Sequence, residues 1–201
     1  MIKKDNYEMT LQNAMKHFCS YDMELLSRRA GVTDRGEYLE TLFFGMETKI
    51  DKKTGCVTVD GRPADFCEAL SVFDWLCDGK TNAMASYDFC PVSSLPGVLV
   101  QGQGLLMDAP KLAKSIDNNS EKFKEIILQM GGKTINLGDF GAEIEIFPGL
   151  PMQLKFYHSD EEFPPSITFL WDKNILQFVR YETIYYLSAT IKKHLLHRMQ
   201  H

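Results

Sequence analysis

The chain has 201 residues, a hydrophobic content of 44% and a formal net charge of −5 at neutral pH. This length can bury a substantial apolar core, and we expect residues 1–201 to form a single globular domain. The negative charge argues against nucleic acid as a partner, because too few basic residues are available to neutralise a run of phosphates. No apolar run reaches the ~20 residues that span a bilayer, and the N-terminus lacks the apolar region of a signal peptide. We therefore expect a cytoplasmic protein with no membrane partner.

Five cysteines are scattered along the chain, and no two of them form a C-x-x-C pair. This pattern is typical of reduced intracellular thiols that pack as small apolar side chains. It argues against a zinc knuckle or an iron–sulfur cluster built by this chain alone.

The first quarter of the chain changes from a helical to a strand-like pattern. Apolar residues at helical spacing predict a helix over 6–18, and Ser20 is predicted to cap a second helix that ends at Gly31. From Glu37 to Asp60 the period is two, which predicts three strands over 38–44, 46–51 and 56–59.

The middle of the chain is predicted to be mainly helical. Pro63 is expected at the first position of a helix that ends at Gly79. Residues 80–107 are rich in Gly, Pro and Ser, which predicts a long loop with a short strand over 98–100. Helices are then expected over 110–116 and 118–130, and a last helix over 181–198.

The stretch from Gly138 to Asp172 organises the second half as three strands. Apolar residues alternate over 142–146 and again over 152–156, which predicts a hairpin. Its register is expected to place Ile146 opposite Met152 or Leu154. Lys155 would then lie opposite Glu143 or Glu145. A third run, 167–171, is apolar on both faces and predicts a more central strand.

These elements together predict an α+β fold. Two strand-rich blocks are separated and flanked by helical stripes, so we expect an antiparallel or mixed sheet of five to seven strands. The helices are expected to pack mainly on one side of that sheet.

The segment between the second and third of these strands is the densest in chemically active residues. It reads His158-Ser159-Asp160-Glu161-Glu162-Phe163-Pro164-Pro165. Carboxylates beside an imidazole have the residue types for metal binding or acid–base work. A solvated acidic corner at a sheet edge would show the same composition, and this interpretation is favoured. His194 and His197 could also hold a metal at i, i+3, but a basic helix terminus explains them better.

A large apolar ring gains about 2 kcal/mol from burial, so Phe163 is predicted to face inward and anchor this corner. Asp160 is then expected to accept backbone N–H bonds or to pair with a base, with Lys155 and Arg180 as the candidates.

The same half of the chain resembles an uncharacterised bacterial and archaeal family, the domain of unknown function family 3786. The resemblance rests on the motifs Gly138-Asp139, Phe147-Pro148 with Pro151, Asp160-Glu161-Glu162-Phe163-Pro164 and Leu170-Trp171-Asp172. Tyr157 stands where the family usually has Trp, Ser159 where it has Gly, and Trp171 where it has Phe.

The resemblance implies no established activity. Some family members carry similar domains joined to a cysteine-rich iron–sulfur domain of the kind found in corrinoid proteins. This chain lacks such a piece, so an association of that kind would require a separate partner. The matched motifs add Asp139 and Tyr157 to the candidate ligand-binding residues His158, Asp160, Glu161 and Glu162.

Two functions remain open at this point. The first is a non-catalytic binding or accessory module that presents the acidic corner and the 80–107 loop to a protein partner or a small ligand. The second is a metal-dependent enzyme that uses His158, Asp160 and Glu162. No spacing identifies a cofactor.

Overall fold

A computed structural model describes residues 2–95 and 109–201. The strand expected over 98–100 lies outside these ranges. The helices in the described ranges are α1 (Ile2–Cys19), α2 (Met23–Ser27), α3 (Phe66–Phe73), α4 (Pro110–Asn118), α5 (Ser120–Gln129) and α6 (Tyr181–Gln200). A π turn (Asp74–Asp78) extends α3, and short 3-10 turns cover Val92–Ser94 and Ile175–Gln177. None of the described helices combines the length and apolarity that a membrane crossing requires.

The strands form two antiparallel sheets, which confirms the α+β class. The first sheet is a meander in the order β1-β2-β3-β4-β5, and the second has the order β6-β10-β9-β8-β7. The strands are thus divided over two sheets of five. Their bounds are β1 (Thr33–Asp34), β2 (Tyr38–Phe43), β3 (Met46–Asp51), β4 (Val57–Val59), β5 (Arg62–Pro63), β6 (Phe89–Cys90), β7 (Lys133–Ile135), β8 (Phe140–Phe147), β9 (Leu150–Tyr157) and β10 (Ser166–Asp172).

Two boundaries in the first half differ from the sequence prediction. Helix α2 is capped by the side chain of Asp22 and not by Ser20. Pro63 does not open α3 but lies in β5, where an edge strand tolerates a residue without an N–H. The cap of α3 is Asp65, whose carboxylate accepts the Glu68 N–H while Glu68 accepts the Asp65 N–H.

The hairpin of β8 and β9 is confirmed, but its predicted register is wrong. Met152 lies opposite Ile144, because only Pro148 and Gly149 separate the two strands and the register shifts by one residue between Glu145 and Phe147. The residue in that bulge, Ile146, accepts a hydrogen bond on its carbonyl from the N–H of Phe44, in the β2–β3 turn, at 2.9 Å. This hydrogen bond connects the bulge to the β2–β3 hairpin of the first sheet.

The charge pairing expected across the hairpin is wrong for the same reason. Lys155 lies opposite Gly141. Glu143 lies opposite Gln153, whose side-chain amide donates to it at 2.9 Å. Its carboxylate also pairs with Lys133 of the neighbouring strand at 2.7 Å.

A single cluster of buried side chains continues through both sheets and the helices. At its centre the Phe147 ring stacks between Phe43 at 4.7 Å and Trp75 at 4.4 Å. On α6, the predicted inward residues Ile184, Leu187, Ile191 and Leu195 are fully buried. The position of strand β10 between β9 and the two-residue β6 confirms it as an interior strand.

Candidate functional site

The corner predicted from the sequence is the connection between β9 and β10. Tyr157 at the end of β9 pairs with Ser166 at the start of β10, so residues 158–165 cross between two paired strands. We refer to these eight residues as the β9–β10 loop. The loop therefore lies at one end of two paired strands, and their pairing fixes both ends of the loop.

The first residues of the loop are fixed by two aspartates from other elements. Asp139 accepts the His158 N–H at 2.7 Å. Asp117 lies near the end of α4, and its Oδ1 atom is 2.7 Å from His158 Nδ1. Its Oδ2 accepts the Ser159 hydroxyl at 2.6 Å. The hydrogen bond from Ser159 and that from His158 lower the pKa of Asp117 below its usual value.

Asp117 was missed by the sequence analysis. It lies 41 residues before His158, and nothing in the sequence spacing connects the two. Asp139 was named, and the structure places it beside His158. The imidazole of His158 is also in edge contact with the Phe156 ring, at 5.1 Å between centroids.

The turn of the loop is closed by Asp160, as predicted. Its Oδ1 accepts the N–H groups of Glu162 at 2.8 Å and of Phe163 at 2.7 Å. The Asp160 N–H donates in return to the Phe163 carbonyl at 3.0 Å. The expected ion pair with Lys155 or Arg180 is absent: Lys155 Nζ lies over the Tyr157 ring at 5.3 Å, and Arg180 pairs with Asp74.

Phe163 is not the buried anchor that the sequence analysis predicted. Its side chain is 65% exposed. The backbone of the turn is held by Asp160 and by the two prolines that follow, so the loop does not need an apolar anchor. Asp160, Glu161 and Glu162 are also exposed, and the Tyr157 side chain is 44% exposed. The loop thus presents aromatic rings among carboxylates.

The polar side chains of the loop form hydrogen bonds that stabilise its conformation. Ser159 Oγ donates to Asp117 and not to His158, so the geometry of a serine–histidine nucleophile is not formed here. Within residues 2–95 and 109–201, no group of three or more His, Cys, Asp or Glu side chains is positioned to hold a metal ion. The carboxylate of Asp160, the hydroxyl of Ser159 and Nδ1 of His158 all make hydrogen bonds inside the protein.

A second polar cluster, which the sequence analysis missed, is buried between α3, β5 and α6. The Glu68 side chain is fully buried and accepts hydrogen bonds from Arg62 Nη1 at 2.8 Å and Nη2 at 2.6 Å. His194 Nε2 lies 2.7 Å from Glu68 Oε1. The interpretation of His194 as part of a basic helix terminus is therefore wrong, since only 8% of the residue is exposed. The signal available in the sequence was the Asp65-x-x-Glu68 capping box.

Comparison with known proteins gives one match. A family model described as "Domain of unknown function (DUF3786)" matches residues 22–194, and this range contains both the β9–β10 loop and the Glu68 cluster. No curated protein and no solved structure matches the chain.

Proposed function

We propose that this chain, which belongs to the DUF3786 family, is a cytoplasmic, non-catalytic module that docks a partner protein through its β9–β10 loop. The observation that carries the proposal is the 65% exposure of Phe163 on a loop that hydrogen bonds to Asp117, Asp139 and Asp160 hold in place. Tyr157, at the start of the loop, is exposed as well, and aromatic rings are enriched at the centres of protein–protein interfaces.

The bracing of the loop favours binding because it lowers the entropic cost of association. Three aspartates accept six hydrogen bonds from the loop; they are Asp117, Asp139 and Asp160. The donors are His158 N–H and Nδ1, Ser159 N–H and Oγ–H, and the N–H groups of Glu162 and Phe163. A loop that is already ordered loses little freedom when a partner binds. A ring that enters a partner's pocket from such a loop can act as a hot spot.

The residues around Phe163 specify the chemistry of the partner. Asp160, Glu161 and Glu162 are exposed, and no basic side chain of the described ranges pairs with them. A complementary surface would be an apolar pocket with lysines or arginines on its rim. The family resemblance suggests a separate cysteine-rich iron–sulfur protein as one such partner.

Photo-crosslinking in the organism that encodes the protein tests this proposal. A photoreactive phenylalanine analogue is placed at position 163, and the matched control carries it at Leu128 on α5, which is 60% exposed. The proposal predicts a discrete covalent adduct with one protein from position 163 and none of that mass from position 128. The same set of adducts from both positions, or none from position 163, would contradict docking through the loop.

A further inference from the structure

A groove of about 510 Å³ lies between the β4–β5 turn, α5 and the end of α6, and shares no residue with the β9–β10 loop. Its volume is that of a small-molecule site. The chain as a whole carries a net charge of −5, but basic side chains predominate on the walls of this groove. They are Arg62, Lys122, His194, His197, Arg198 and His201. Three of the five histidines of the chain therefore face one cavity.

Arg62 is held in place at the back of this groove. Both of its terminal nitrogens donate to the buried carboxylate of Glu68, which also accepts the Asp65 N–H at 2.8 Å and lies 2.7 Å from His194 Nε2. Burial alone would raise the pKa of Glu68, but the hydrogen bonds from Arg62, His194 and the Asp65 N–H lower it well below the usual value. The guanidinium is thus fixed by an ionised group while 41% of its side chain stays exposed.

The remaining charges of the groove are only partly compensated. Arg198 lies 3.9 Å from Asp60 on the β4–β5 turn. Lys122 of α5 forms no ion pair within the described residues, and Glu125 is the second acidic side chain of the lining. The rings of His197 and His201 lie 4.6 Å apart between centroids, on successive turns of α6. With Glu68 behind Arg62, three carboxylates stand against three permanent cations, and Lys122 is the cation that forms no ion pair within the described residues.

We infer that this groove binds a small phosphorylated molecule, with Arg62, Lys122 and Arg198 as its phosphate contacts. Arginine and lysine are the side chains that recognise phosphate oxygens, and an arginine held in a fixed orientation does so with the least loss of freedom.

Titration calorimetry with inorganic pyrophosphate tests the inference on the full chain. We expect saturable binding with one site at neutral pH. Lys122→Gln is the principal variant because its ammonium group makes no ion pair that the fold depends on. It should weaken binding by about tenfold, the effect of one lost charge-assisted contact.

Lys114→Gln is the matched control, since Lys114 is an exposed lysine on α4 away from the groove. It should leave the dissociation constant within about twofold of the wild-type value. Equal losses in Lys114→Gln and Lys122→Gln would show non-specific attraction and overturn the inference. Tighter binding of citrate than of pyrophosphate would overturn the assignment to phosphate, and no measurable binding would refute the site. Phe163→Ala should bind pyrophosphate as the wild type does, so the result is independent of the docking proposal.

Discussion

Replacing Glu68 with glutamine keeps the shape of a fully buried side chain but removes its charge. The carboxylate accepts four hydrogen bonds, two of them from Arg62. An amide can accept on one atom only, so at least one donor would face its NH₂ group. Charge-assisted hydrogen bonds contribute about 1.5–3 kcal/mol each, and Arg62 can regain water on its exposed side. We therefore expect Glu68→Gln to lower the free energy of unfolding by about 3 kcal/mol, at the lower end for a broken buried pair.

Urea unfolding followed by circular dichroism measures this change at neutral pH. Glu24→Gln is the matched control, because Glu24 forms an ion pair with Arg28 in which both side chains are more than 70% exposed. It should change stability by less than about 1 kcal/mol. If the two variants lost the same stability, the Glu68 cluster would not hold α3, β5 and α6 together.

The pH dependence of the same measurement gives a sign that can be checked. The pKa of Glu68 in the folded protein is lowered, so its contribution is fully present above the pKa of an unfolded glutamate, about 4.3. That contribution is lost as the pH falls further, toward the folded pKa. The stability curves of the wild type and Glu68→Gln should therefore converge in acid. A gap that widened below about pH 4 would contradict the assignment.

Three further predictions concern the backbone, a thiol and the loop. Gly45→Ala should lower the free energy of unfolding by at least about 2 kcal/mol more than Gly36→Ala, as measured in urea. Both glycines have positive φ, but only at Gly45 would an added Cβ clash with backbone, 2.1 Å from the Met130 carbonyl oxygen. Equal losses would contradict this. Burial raises the pKa of Cys77 to about 12, so we expect an Ellman-type reagent to label the exposed Cys56 at least about a hundredfold faster than Cys77. Peptide mapping measures the two labelling rates, and comparable rates would refute the prediction. Asp117→Ala should speed hydrogen exchange of the Ser159 amide by about tenfold, with little change in the stability of the whole protein. Unchanged exchange would show that Asp117 does not brace the loop.

The periodicity of apolar residues was sufficient to predict most helices and strands, because the burial of one face of an element sets the spacing of its apolar residues. The stripe of α6 and the alternation of β2 and β3 follow directly from which residues are buried. Local turn chemistry was also informative where it was used: Gly55 has φ +72° in the predicted β3–β4 turn. The Asp60-Gly61 pair is the sequence signal for a two-residue hairpin, and attention to it would have placed Arg62 in β5.

The register of the β8–β9 hairpin could not be obtained from alternation alone. Ile146 lies in a bulge, and its carbonyl accepts a hydrogen bond from the N–H of Phe44, in the β2–β3 turn. A hydrogen bond between distant segments does not change the spacing of apolar residues in either of the segments that it connects. The same holds for Asp117 with His158 and for Glu68 with His194, which are 41 and 126 residues apart.

The exposure of Phe163 shows the limit of arguments from residue type. An apolar ring gains free energy from burial only where the backbone can carry it inward. In the β9–β10 loop, the hydrogen bonds of Asp160 fix the turn instead. The sequence therefore predicted the turn that Asp160 closes, but the burial predicted for the aromatic ring was wrong.

Docking through Phe163 is tested most directly by comparing Phe163→Ala with Leu128→Ala, using the partner captured at position 163. Because the Phe163 side chain is 65% exposed, its loss should change the free energy of unfolding by less than about 0.5 kcal/mol. The affinity for the partner should fall by at least about tenfold, as for a contact hot spot, whereas Leu128→Ala should leave it unchanged. A loss of several kcal/mol in stability, or an affinity equal to that of the wild type, would contradict docking through an exposed Phe163.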